Sequence, residues 1–131
     1  MRSVNITMNE FEITIKKELE KRGWVWRISD AGINYKSSKK VPTPADFLWL
    51  YQGKVYFIEC KATESNRFRL RNITPNQWEA ASQISIHGGN YYFVIKIQDV
   101  VGWVPASQMI LMKDRASLAK EILSLFPPIV F

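Results

Sequence analysis

At 131 residues and 47% hydrophobic content, the chain can bury a real core and is read as one domain spanning residues 1–131. Eighteen Lys and Arg against twelve Asp and Glu leave a net charge of +6, a surplus that favours a polyanionic partner. The single cysteine, Cys60, excludes an internal disulfide and a thiolate zinc cluster, and with no signal-peptide core and no apolar run long enough to span a bilayer the protein is expected to be soluble and cytoplasmic, with no membrane partner.

Residues 8–22 carry Phe11, Ile15 and Leu19 at helical spacing and stop at Gly23, which predicts a helix. Thr7 with Glu10 and Asn9 with Glu12 both fit a capping-box start. Residues 24–28 are aromatic and β-branched, hence a strand. Residues 29–43 lose periodicity and collect Gly32, Asn34, Lys36, Lys39, Lys40 and Pro42, which reads as a basic loop. Residues 46–51 and 55–61 form two strands joined by Gln52-Gly53. Phe47, Trp49 and Tyr51 share one face and Leu48 and Leu50 the other, so helices are expected on both sides. Residues 62–72 are polar and hold Arg67, Arg69 and Arg71. Thr74-Pro75-Asn76-Gln77 opens a second helix that runs to about Ile86, before Gly88-Gly89. Strands follow at 91–97 and 100–104, then a helix at 114–125 that Pro127-Pro128 halts. The fold class is therefore α/β, a mixed sheet flanked by helices.

Three of these elements gather chemistry. Asp46 precedes Glu59 by thirteen residues with one tight turn between them, so the hairpin brings Asp46 beside Glu59 and Lys61. Alternation places Glu59 and Lys61 on one face and turns Cys60 toward the core. An ordinary ion pair with Lys61 explains one carboxylate. The second, at the end of strands this apolar, is costly unless a cation balances it. Two hard oxygen ligands and an amine suit a divalent metal and a water beside a phosphodiester. Glu12 lies at the edge of the buried face of the first helix, but a capping role explains it as well as it explains Glu10. Gln77 is either the capping residue of the second helix or a polar ligand of the site. Lys36, Lys39, Lys40, Arg67, Arg69 and Arg71 are either solvated charge or DNA backbone contacts. His87, the only histidine, falls where a helix ends and suits the macrodipole better than a general base.

Pro44-Ala45-Asp46 followed by Glu59-Cys60-Lys61 resembles the signature of the PD-(D/E)xK nucleases, with Pro44 displaced by one position. The segment from Glu12 to Gly23 is similar to the first helix of archaeal-type Holliday-junction resolvases, which places a site glutamate at Glu12 rather than Glu10. Phe68 to Gln77, with Gly88-Gly89 and Tyr92-Phe93-Val94-Ile95, resembles the bacterial RecU-type resolvases. The resemblance covers roughly residues 8–97. It implies a restriction-endonuclease-like fold and Mg²⁺, replaceable by Mn²⁺, on Asp46, Glu59, the Cys60 carbonyl and Glu12. Glu12, Asp46, Glu59, Lys61 and Gln77 form the catalytic set it implies. A homodimer cutting four-way DNA junctions is the expected assembly, and the apolar tail Ile129-Val130-Phe131 is a candidate for docking on a partner chain. The residues themselves leave open another endonuclease of the same type, restriction-like, repair or flap-directed, or a non-catalytic DNA-binding module.

Overall fold

A computed structural model describes residues 8–28, 33–34, 39–40 and 43–129. The first helix, Glu10–Glu20 (α1), starts from Asn9: its side-chain oxygen accepts the Glu12 N–H at 2.8 Å, and Glu12 Oε1 accepts the Asn9 N–H at 3.1 Å. Phe11, Ile15 and Leu19 form its buried stripe. Gly23 then passes against the neighbouring strand so closely that a Cβ there would stand 2.3 Å from the Leu50 carbonyl oxygen.

Strand Trp24–Arg27 (β1) leads into the basic segment. Ile33–Asn34 (β2) and Lys39–Lys40 (β3) pair antiparallel there, so this segment is not the plain loop that its composition predicts. Phe47–Tyr51 (β4) and Lys54–Thr63 (β5) form the expected hairpin, with Gln52 and Gly53 both at positive φ in its turn. Arg67–Arg69 (β6) and a short 3₁₀ turn at Leu70–Asn72 precede the helix Pro75–Ile86 (α2). Asn90–Ile97 (β7), Val100–Pro105 (β8), Ala106–Leu111 (α3), Ser117–Ala119 (β9) and Lys120–Leu123 (α4) complete the order.

Five strands form the main sheet in the order β1-β4-β5-β7-β8. It is mixed: β5 and β7 run parallel through the α2 crossover, and every other neighbouring pair is antiparallel. α1 covers one face, against Phe47, Trp49, Ile58, Cys60, Val94 and Trp103. Trp78 and Ala81 of α2, with Met109, Leu118 and Leu123, pack on the other face against Phe93, Ile95, Ile97 and Val104. That second face is not covered throughout. Trp24 (57% exposed), Trp26 (58%), Leu50 (42%) and Val55 (43%) remain open, so the expectation of helices on both sides holds only toward β7 and β8.

The C-terminal helix expected at 114–125 is not formed as one piece. Ser117–Ala119 instead pairs with β6, matching Phe68 to Leu118, and both side chains are buried. A helix of that length is marginal on its own, and the unpaired β6 edge offers the backbone ladder bonds together with a core position for Leu118. Ile129 packs, partly buried, on the α1-side core, while residues 130 and 131 lie outside the described residues.

Candidate active site

The start of β4 and the middle of β5 bring Asp46 and Glu59 together as the hairpin predicts. The Asp46 N–H donates to the Ile58 carbonyl at 3.0 Å, and the Cys60 N–H donates back to Asp46 Oδ2 at 2.8 Å. Asp46 is thereby locked on the β5 backbone. Tyr91, buried beneath, donates its hydroxyl to the Pro44 carbonyl and fixes the turn into Asp46. Burial pushes the Tyr91 phenol well above its ordinary range, with the Glu59 and Asp46 charges acting in the same sense.

Glu59 is the only buried charged residue among the described residues, at 4% exposure. Its Oε2 accepts the Gln77 Nε2–H at 2.9 Å. Gln77 also caps α2: its Oε1 accepts the Thr74 N–H at 3.0 Å, and its own N–H donates to Thr74 Oγ1 at 3.2 Å. The two readings of Gln77 therefore hold together. The cap needs the amide oxygen, which leaves the nitrogen for the carboxylate and fixes the orientation of the amide.

Lys61 donates from Nζ to the Asn72 carbonyl at 3.0 Å and stands 3.8 Å from Glu59 Oε2. The plain ion pair is thus present but loose, and it does not neutralise the cluster. Burial pushes the Glu59 carboxyl up to about 8, with Asp46 and Glu12 adding and Lys61 opposing. Burial likewise pushes Asp46 up to about 6; Glu12 adds, while the Cys60 N–H, Lys61 and Arg27 oppose. Glu12 is therefore within electrostatic reach of both. It does not close a cage, since no three Asp, Glu, His or Cys side chains among the described residues gather tightly enough to hold a metal ion together. Cys60 lies in the core, where burial raises its thiol pKa, so only its carbonyl remains as a ligand candidate.

The donor set fits a hard divalent cation. Asp46 and Glu59 offer hard oxygen donors side by side in a shielded place, where burial raises both carboxyls despite Lys61 and, at Asp46, Arg27; a bound cation would favour their ionised forms.

Among the candidate DNA contacts, Arg69 and Arg71 are exposed. Arg67 is occupied, donating from Nε to Ser117 Oγ at 2.6 Å and from Nη2 to the Ser117 carbonyl at 3.4 Å. Lys36 and the side chains of Lys39 and Lys40 lie outside the described residues. His87 caps the end of α2 through its backbone and takes no part in the cluster. Sequence reasoning missed Arg27, which β1 delivers opposite Phe47 beside Asp46, and Tyr91. Arg27 could have been found, because the antiparallel register of β1 on β4 places its last residue there.

Residues 5–122 match the profile of a family described as recombination protein U. The match extends past residue 97 into the C-terminal segment, which carries no motif of its own. No curated protein matches the chain. Among solved structures, the chain is similar to Hjc, a Holliday junction resolvase from the archaeal hyperthermophile Archaeoglobus fulgidus. The TM-score is 0.60 at 18% identity, over 88% of this chain and 90% of that one. The fold is thus the restriction-endonuclease-like α/β arrangement that the motif implies.

Proposed function

The chain belongs to the recombination protein U family of Holliday-junction resolvases, and on that premise we propose that it is a metal-dependent endonuclease that nicks four-way DNA junctions by phosphodiester hydrolysis. One observation carries the reading: Asp46 and Glu59 share a shielded cleft where burial raises both carboxyls, and Lys61 and Gln77 converge on it. Asp46, Glu59 and the Cys60 carbonyl would hold Mg²⁺ or Mn²⁺, with Glu12 adding negative charge from the start of α1. When bound, such a cation supplies Lewis acidity toward the phosphate and lowers the pKa of a water.

The residues themselves bind and orient. Lys61, held by the Asn72 carbonyl, presents positive charge to the oxygens of the scissile phosphate. Gln77 keeps the Glu59 carboxylate from turning away, and the Cys60 N–H does the same for Asp46. Exposed Arg69 and Arg71 next to this cleft support a nucleic-acid substrate. The fold neighbour, itself a Holliday junction resolvase, supports the junction in particular. Resolution of a symmetric junction needs two cuts, so a homodimer with two such centres belongs to the proposal.

The test is cleavage of four-way, linear, nicked and flapped DNA at equal concentration, with and without Mg²⁺. The four-way junction should be cut preferentially and only with metal, and Asp46→Asn should abolish cutting while retaining junction binding. Cleavage by Asp46→Asn at the wild-type rate would defeat the assignment.

A further inference from the structure

Beside the cleft lies an open basin of about 370 Å³ whose charged lining is entirely cationic: Arg69 and Arg71 on one wall, Lys113 and Arg115 on the other. Its walls come from distant parts of the chain. Pairing of β6 with β9 sets Arg69 opposite Ser117, and the Leu70 N–H donates to the Ala116 carbonyl at 3.1 Å. Phe68 is buried, so Arg67 and Arg69 on either side of it both face outward; Arg67 ties the two walls together through Ser117. Like charges gathered this way repel one another, and among the described residues none of the four makes an ion pair. The nearby acids do not line the basin. Asp114 sits between Lys113 and Arg115 in sequence, and Glu79 belongs to the adjoining hollow across Trp78.

The geometry points to a binding site for the sugar–phosphate backbone of a DNA arm outside the scissile phosphate. Its ligand follows from the proposed junction-cleaving function. Guanidinium forks from opposite walls suit phosphodiester oxygens. The basin is tied to the catalytic cluster through the chain: Arg71 on its lining immediately precedes Asn72, whose carbonyl accepts from Lys61. A stacked base is the poorer occupant: Trp78 is only 9% exposed, and Lys113 Nζ lies over its ring at 5.3 Å from the centroid. The C-terminal segment, silent as sequence, thus contributes half of a phosphate-binding surface.

The experiment measures junction affinity by fluorescence anisotropy in EDTA, where no metal-dependent cutting occurs, from 50 to 200 mM NaCl. Lys113→Gln/Arg115→Gln should flatten the slope of log affinity against log salt by about 1 to 2, close to 0.9 per lost phosphate contact. Lys113→Arg/Arg115→Lys keeps both charges and should keep the slope, as should Lys54→Gln at the far turn of the β4–β5 hairpin. An unchanged slope in the folded Gln double variant overturns the assignment. So does saturable binding of inorganic phosphate that the Gln double variant loses while its junction slope stays at the wild-type value, because the basin then serves a free anion. Failure of the wild type to cut any DNA with Mg²⁺ or Mn²⁺ would sink the nuclease reading instead, and the binding slopes would remain interpretable.

Discussion

Replacing Glu59 with glutamine keeps the shape of the side chain and removes one of two carboxyls forced to share a shielded space. In the folded chain Glu59 stays protonated up to about pH 8, because burial and the Asp46 charge outweigh Lys61 at 3.8 Å. In the unfolded chain the same group ionises at its ordinary value of 4.5. Between these values the native state holds more protons than the unfolded state, so stability falls as pH rises. This contribution is fully present below the unfolded pKa and is lost as pH climbs toward 8. From pH 6 to pH 8 the loss from this one residue is about 2 kcal/mol, since each unit of pKa difference is about 1.4 kcal/mol and the native group begins to ionise near the upper end. Asp46, raised from 3.8 to about 6, acts in the same sense, but most of its loss is complete by pH 6. Glu59→Gln cannot ionise and can still offer an oxygen to Gln77 Nε2. Urea denaturation in EDTA at pH 6, 7 and 8 should therefore show a falling stability for the wild type and a nearly level one for the variant. A wild type whose stability stays level or rises across that interval would refute the reasoning, and so would a variant that keeps the full slope.

Three other outcomes follow from the same geometry. Gln77→Glu can retain both capping bonds of α2 but puts an anion where Glu59 Oε2 now accepts a hydrogen bond at 2.9 Å; metal-dependent cleavage requires Glu59 in its ionised form, and losing a bond to that charged group costs about 1.5–3 kcal/mol, so junction cleavage at saturating substrate should drop roughly ten- to a hundred-fold. A wild-type rate would show that Gln77 only caps the helix. Mg²⁺ should raise the thermal midpoint more at pH 8 than at pH 6, because protons compete for Glu59 below its raised pKa, and Asp46→Asn should remove most of the increment; an equal increment at both pH values in the wild type would contradict this. Gly23→Ala should destabilise the fold by about 1–3 kcal/mol, since its Cβ would meet the Leu50 carbonyl oxygen and Trp49 Nε1; a change below about 0.5 kcal/mol in urea denaturation would mean the contact relaxes freely.

The parts of this molecule legible in its sequence are those set by local chemistry. The Gln52-Gly53 turn fixes the β4–β5 register, and that register alone places Asp46 beside Glu59. Thr74-Pro75 and Gln77 mark the start of α2 for reasons contained in four residues. What stayed hidden depends on distant partners. Ser117–Ala119 carries no strand signal of its own and is extended because β6 is available to pair with it. Lys113 and Arg115 look like scattered surface charge until that pairing sets them across from Arg69 and Arg71. Apolar residues on both sides of β4 predict helices over both faces, yet Leu50 remains 42% exposed: composition reports that a face is apolar, not what covers it.

Glu12 and Gln77 show why a complete local explanation of a residue does not exhaust it. Each is the N3 residue of a capping box, and each lies close to the same carboxylate pair. A capping glutamine uses its amide oxygen and keeps two N–H donors, one of which reaches Glu59. A capping glutamate uses one oxygen: Glu12 Oε1 accepts from Asn9, and its other oxygen has no partner among the described residues. The capping bonds hold the backbone end of each side chain's reach, so its remaining polar atom is presented at the first turn of a helix with little rotamer freedom left to lose. Helix N-termini also favour negative charge nearby, which suits the Asp46–Glu59 pair. Two helix starts facing one pair of carboxylates are therefore a compact means of positioning it. The same economy explains why neither residue could be assigned from its spacing alone: the pattern that builds the helix and the pattern that builds the site are the same three-residue interval.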